Sequence, residues 1–239
     1  MSRQRVGVIG DDQLSAAIEA AGGVPIAMEM TSVPEERSRD VIDSVAFILA
    51  SGESALAELA RVGPDVPVLP VHVEKGLRSV PSARAEAAVD RILEENRPTD
   101  EYPIIAASGA IEPVRTIFDV ALVASKPARI SEFAVHSSSM FVSQFRADGV
   151  VASMPAGSSG YNRDAGGPVI EPGTGVASVV PVAPFAMAPD RWVLPIDSVQ
   201  LSVERDETPV ELLADGRSEG IVSPGESVEL SCVDALETW

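Results

Sequence analysis

From Tyr102 to the C-terminus, short apolar runs alternate with turn residues roughly every eight to twelve positions, a rhythm that points to a mostly antiparallel β domain. The runs are Ile104–Ala107, Arg115–Ala124, Ile130–His136, Met140–Phe145, Val150–Ser153, Val176–Val182, Val199–Val203, Val210–Ala214 and Val228–Val233. Upstream the punctuation differs. Arg5–Gly10 is an apolar strand, Asp11-Asp12 opens a helix over Gln13–Ala21 that Gly22-Gly23 ends, and Val24–Met28 is a second strand. Met30–Asp43 is polar, helical or looped, with Pro34 at a helix start. Val45–Leu49 is a buried-strand pattern, Ser54–Arg61 an alanine-rich helix and Val66–Val73 a further strand. Pro81–Asn96 repeats Ala85, Ala88, Val89, Ile92 and Leu93 at helical spacing. Strand–helix–strand units build parallel sheets. The expected fold is therefore α/β: a parallel-sheet domain over residues 1–98, joined around Arg97–Asp100 to a mostly antiparallel β-rich domain over 99–239.

Composition removes several classes of function. A chain of 239 residues, 45% hydrophobic, can bury one large core or two small ones. Its formal charge of -18 argues against nucleic acid or an anionic membrane as partner, since both need a basic face. Lys75 and Lys126 are the only lysines among abundant Asp and Glu, the balance expected of a protein hydrated in high salt, where screening weakens self-repulsion. Cys232 stands alone, so no disulfide framework forms and a reducing cytoplasm is the expected compartment. No apolar window reaches membrane-spanning length, and the opening MSRQR leads into a strand rather than a signal sequence.

Two stretches can carry chemistry. In Ala50-Ser51-Gly52-Glu53 a strand meets a small-residue turn and a helix N-terminus, where unpaired N–H groups and the helix dipole attract anions. The same arrangement also occurs with no ligand. The second stretch, Arg146–Pro168, reads RADGVVASMPAGSSGYNRDAGGP. Here a strand delivers the chain into a glycine and serine turn whose N–H groups can cradle a phosphate or a ribose, although a plain strand and loop explains the spacing equally well. His72 and His136 lie in apolar strands without partners at metal-ligand spacing, so both read as structural and no zinc site is expected. Trp192 reads as core, and Ser158 lacks the frame and the histidine of a hydrolase nucleophile.

The order of residues adds more. Arg146-Ala-Asp148-Gly149, then Met154-Pro155-Ala156-Gly157-Ser158-Ser159-Gly160-Tyr161, then Ala165-Gly166-Gly167-Pro168 closely resembles the NAD kinase family. That family reads R-x-D-G, T-P-T-G-S-T-A-Y and S-A-G-G-P there, and the frame matches without a gap. The resemblance runs from about Val45 to the C-terminus. It implies an α/β domain and a β-rich domain with the nucleotide between them. The activity it implies is phosphorylation of the adenosine ribose 2'-hydroxyl of NAD, with ATP or polyphosphate as donor and Mg²⁺ or another divalent metal. It also implies a homodimer or homotetramer built through the β domain. Substrate contacts would come from Asp119, Arg129, Arg146, Asp148, Gly157, Ser158, Ser159, Gly160, Tyr161 and Asp164. Ser51 and Gly52 would belong to the phosphate-donor loop.

Two positions depart from the family. Its G-G-D-G motif, whose aspartate takes the proton from the 2'-hydroxyl, is replaced by Ala50-Ser51-Gly52-Glu53, which puts glycine at the aspartate and leaves Glu53 one residue late as the candidate base. A one-residue shift matters because proton transfer needs contact near about 3 Å. The family's N-E/D pair, which recognises the adenine, reads Phe118-Asp119. Three readings stay open: an NAD kinase, a paralogue that binds a nucleotide without catalysis, and a kinase for another hydroxylated metabolite. The acidic composition generates a prediction independent of these. Near-ultraviolet circular dichroism should show folded protein in multimolar KCl and lose its signal on dialysis to about 0.1 M salt, where the Debye length reaches about 10 Å; a signal indifferent to salt contradicts the halophilic reading.

Overall fold

Strand and helix alternate through the first hundred residues because each apolar strand must be covered by the helix that follows it. The computed structural model describes residues 3–29, 35–74, 76–94, 100–126, 129–187 and 189–239, so Pro34 and Arg97–Thr99 lie outside the described residues. The elements run β1 (Arg5–Ile9), α1 (Leu14–Ala20), β2 (Val24–Ala27), α2 (Glu35–Ile42), β3 (Phe47–Ser51), α3 (Gly52–Val62), β4 (Val68–Val71) and α4 (Ala85–Glu94). They belong to a unit formed by Met1–Tyr102 and Ala235–Trp239. Its strands lie parallel in the order β2-β1-β3-β4. Pro25 is tolerated because β2 is an edge strand. Leu14 and Ile18 of α1 and Ala85 and Val89 of α4 cover one face, packing on Val6, Val8, Phe47, Leu49, Leu69 and Val71. β3 and β4 are buried almost residue for residue, the pattern of strands covered on both sides.

The second unit, Pro103–Asp234, is built from strands. The chain continues through β5 (Asp100–Gly109), β6 (Val114–Thr116), β7 (Asp119–Ala124), β8 (Ser131–Ser137), β9 (Met140–Ala147) and β10 (Gly149–Ser153). After the one-turn helix α5 (Tyr161–Asp164) come β11 (Val176–Val182), β12 (Trp192–Pro195), β13 (Val199–Arg205), β14 (Val210–Ala214), β15 (Arg217–Val222) and β16 (Ser227–Thr238). One antiparallel sheet has the order β12-β11-β10-β7-β14-β15. A second runs β16-β13-β8-β9. Their inner faces share one core, with Phe133, Val135, Leu201 and Val228 from the second sheet meeting Leu122, Val150, Val179 and Leu212 from the first. Trp192 packs against this core with its ring stacked on Phe145, 5.7 Å between centroids. The parallel first part and the antiparallel β-rich second part are those expected from the two periodicities. No helix among the described residues is long and apolar enough to cross a membrane.

The end of β16 returns to the first unit, which no pattern in the sequence announces. Thr238 pairs with Val68 in parallel, and the Trp239 ring meets Phe47 edge-on at 5.4 Å. Phe47 is 2% exposed, so truncation leaves a cavity that parallel strands cannot collapse into. Phe47→Ala should lower stability by about 3–5 kcal/mol in a denaturant titration and shift Trp239 fluorescence at the same transition; a change under about 1 kcal/mol contradicts this packing.

Candidate functional site

The site in the second unit starts from a broken strand. Arg115–Ala124 reads as one continuous β run, but the structure ends β6 at Thr116 and begins β7 at Asp119. The cause is Asp215, in the turn between β14 and β15. Asp215 and Gly216 have φ of 49° and 75°, the two left-handed residues of a tight hairpin turn. One Asp215 oxygen accepts the N–H of Phe118 at 2.8 Å and of Asp119 at 3.2 Å, and the other accepts the N–H of Ile117 at 3.1 Å. The Thr116 hydroxyl bonds to the same carboxylate. Strand N–H groups point alternately to opposite sides, so three consecutive ones converging on a single carboxylate cannot belong to a strand. Burial pushes the Asp215 carboxyl above its usual pKa, while the Thr116 hydroxyl and the three N–H groups pull it down.

The glycine and serine loop closes onto this turn. The Met154 N–H donates to the Phe118 carbonyl at 3.0 Å. A Cβ on Gly157 would fall 2.1 Å from that same oxygen, so only glycine fits. The N–H groups of Gly157, Ser158 and Gly160 donate back to Met154, Pro155 and Gly157 within the loop. Ser158 is buried, its hydroxyl donating to the Pro155 carbonyl at 2.8 Å and accepting the Ile170 N–H at 2.9 Å. That makes Ser158 a brace of the loop, where the resemblance implies a ligand contact. Asn162 is buried too, its side-chain amide donating to the carbonyls of Ser158 and Pro168. The helix that follows, α5, is a single turn, because Asn162 spends its side chain on closing the loop and Gly167 must lie against it.

This closure sets Tyr161 at the start of α5, 40% exposed. Its phenol has a raised pKa, first from burial and then from the carboxylates of Asp119 and Asp148. Asp119 and Asp148 thus both act on the Tyr161 phenol, which stays neutral, although they lie at opposite ends of the β7–β10 pair, Asp119 opposite Ser153 and Asp148 beyond Gly149. Asp119, Ser153 and Ser178 are register partners across β7, β10 and β11, so they share a face. Ser159 Oγ is buried without a hydrogen-bond partner among the described residues. Asp164 is exposed at the end of α5, and Arg129 is exposed ahead of β8. Arg146 lies on β9, in the other sheet, with its guanidinium 4.0 Å from Glu207.

The first unit offers a second candidate. From β1 the chain passes to β2 on one side and to β3 on the other, and ligands of open α/β sheets gather at the carboxyl ends of strands where such a reversal occurs. Gly10 ends β1 with φ 92°, and a Cβ there would lie 2.6 Å from the Ser51 carbonyl. Ser51 is the extended N-cap of α3, and Gly52, φ 80°, has nothing within 4 Å of where a Cβ would stand. Glu53 is exposed in the first turn of α3, favourably placed for the helix dipole. Among the described residues no group of three or more His, Cys, Asp or Glu could hold a metal ion. Gly10, Asn162 and Asp215 are missing from the sequence-derived site. Only the Asp215-Gly216 dipeptide carried a signal, and it marks a hairpin without saying where the carboxylate points.

With this geometry in hand, three comparisons bear on the chain. The ATP-NAD kinase C-terminal domain matches residues 119–235. An NAD kinase of Methanosarcina acetivorans is 30% identical over 214 residues, covering 85% of this chain and 75% of that protein. A bifunctional NADP phosphatase/NAD kinase of Methanocaldococcus jannaschii is 26% identical over 189 residues, 74% of this chain and 33% of that one. Yeast NADH kinase, solved with NADH, superposes with a TM-score of 0.81 at 13% identity, covering 100% of this chain and 83% of its own. An NAD kinase from Archaeoglobus fulgidus, solved with ATP, gives 0.76 at 22% identity over 98% and 93%. At those identities the two structures attest the fold.

The closeness of loop and turn is testable without a ligand. Gly157→Ala should cost about 1–3 kcal/mol by overpacking against the Phe118 carbonyl, read as a lower denaturation midpoint at an unchanged slope. Unchanged stability would mean that the loop does not press on the turn.

Proposed function

Because the chain belongs to the NAD kinase family, we propose that it binds NAD in its second unit and phosphorylates the adenosine ribose 2'-hydroxyl to give NADP. What carries this reading, beside the family, is that the carboxylates of Asp119 and Asp148, one at each end of the β7–β10 pair, both act on the Tyr161 phenol held out by the closed loop. Two carboxylates accept hydrogen bonds from ribose hydroxyls or from a carboxamide, and the phenol supplies a donor. Beside two carboxylates a phosphate is repelled, so the donor's phosphates are assigned to the Ser51–Gly52–Glu53 turn and the N–H groups at the start of α3.

In this reaction the 2'-oxygen attacks the terminal phosphorus of ATP or polyphosphate, and the bond from phosphorus to the bridging oxygen breaks. ADP or a shortened polyphosphate leaves, and the hydroxyl proton passes to a base. Such transfers depend mostly on positioning and on charge neutralisation, so a displaced base slows rather than abolishes them. Glu53 is the carboxylate that the turn offers for the proton. A divalent cation, when bound, would neutralise charge on the donor phosphates; no group of three or more His, Cys, Asp or Glu among the described residues could cage it, so it would be held by those phosphates and water.

A non-catalytic nucleotide-binding role is favoured by two observations. Gly52 stands where the base belongs, and Phe118, 8% exposed, fills space where the family offers an amide to the adenine. A coupled assay for NADP with NAD, ATP and Mg²⁺ in multimolar KCl separates the two. Turnover is expected, with Glu53→Gln lowering kcat by about 100-fold as for loss of a general base, and Asp148→Asn raising the KM for NAD by about tenfold or more. No turnover, together with thermal stabilisation by NAD, would replace the kinase with the binding role.

A further inference from the structure

We propose that Asp215 is a positioning residue for the dinucleotide: it fixes the backbone of Ile117–Asp119 and thereby the direction of the Asp119 carboxylate. The inference rests on the reading that the second unit binds NAD. Both backbone polar groups of Asp119 are bonded to Asp215, the N–H to its carboxylate at 3.2 Å and the carbonyl to its N–H at 3.0 Å. The Thr116 hydroxyl, within reach of both the Asp215 carboxylate and the Asp119 carbonyl at 3.2 Å, closes the same ring. An aspartate that merely made the hairpin turn would need a left-handed backbone and nothing else, a task Asn performs as well. What the turn does not require is the convergence of Ile117, Phe118 and Asp119 on one half-buried carboxylate.

That distinction selects the variant. Asp215→Asn keeps the size and the left-handed preference but replaces one acceptor oxygen with a donor facing a backbone N–H. The positioning role predicts amide hydrogen exchange at Ile117, Phe118 and Asp119 accelerated by about tenfold or more, a step worth about 1.4 kcal/mol per decade. It also predicts an NAD Kd raised by about tenfold in calorimetry, with kcat at saturating NAD changed far less than KM. In an Asp119→Ala background the same Asp215→Asn change should alter the Kd by under about threefold, because the group it aims is gone. Thr116→Val, which leaves the hairpin intact, should move exchange and affinity in the same direction by a smaller factor and serves if Asp215→Asn fails to fold.

Unchanged exchange at the three amides overturns the clamp. Additive losses in the double variant, or losses confined to global stability, overturn the positioning role even with exchange accelerated. Wild-type protein that binds no NAD in calorimetry sinks the functional reading and with it the ligand half of this proposal, while the exchange rates still decide the clamp.

Discussion

The peptide groups on either side of Phe118 hold the second unit's site together. The Phe118 N–H is taken by Asp215 and its carbonyl by Met154, and Gly157 lies so close to that carbonyl that no side chain fits. Three segments distant in sequence, the β6–β7 turn, the loop after β10 and the β14–β15 hairpin, are therefore registered against one another through one short stretch of backbone. Each such bond is worth about 0.5–1.5 kcal/mol net, or about 1.5–3 when one partner is charged, but leaving any one of these buried groups unpaired costs more than the bond supplied. The site is cooperative for that reason. The closure of the loop sets Tyr161 where the carboxylates of Asp119 and Asp148 both raise its pKa.

The division of labour was legible from the sequence wherever local periodicity decides. Val176–Val182 and Val210–Ala214 are strands residue for residue, because alternation against a single core leaves one register. β15 was not among the expected strands, since RSEGIV has no clean alternation and is held by its hairpin with β14. The break at Ile117-Phe118 was illegible for a stronger reason: its residues favour strand, and the carboxylate that overrides them lies almost a hundred positions later. In the site, Asp119, Asp148 and Tyr161 could be named because the family frame carries them. Ser158 and Asn162 hold the loop together through partners that only the fold supplies.

Charge ties the composition to the site. On the proposed function, a chain of formal charge -18 whose Asp119 and Asp148 both act on Tyr161 would repel every anion it uses, the dinucleotide's pyrophosphate and the donor included. At about 1 M salt the Debye length falls to about 3 Å, which removes the long-range repulsion and leaves contacts at hydrogen-bond distance nearly intact. On the halophilic reading, the salt that such a surface needs to stay folded would also admit its substrates. The first unit contributes a turn kept open by Gly10 and Gly52 at the reversal point of its sheet, a backbone arrangement suited to phosphates even where the usual carboxylate has moved by one residue.

The central claim, that Asp119, Asp148 and Tyr161 together receive a dinucleotide, is tested most directly by a crystal structure grown with NAD in multimolar KCl. Ribose or carboxamide groups of NAD should lie within hydrogen-bond distance of the Asp148 carboxylate and the Tyr161 hydroxyl, about 2.7–3.2 Å. NAD bound elsewhere, with those three side chains facing only solvent, would contradict it.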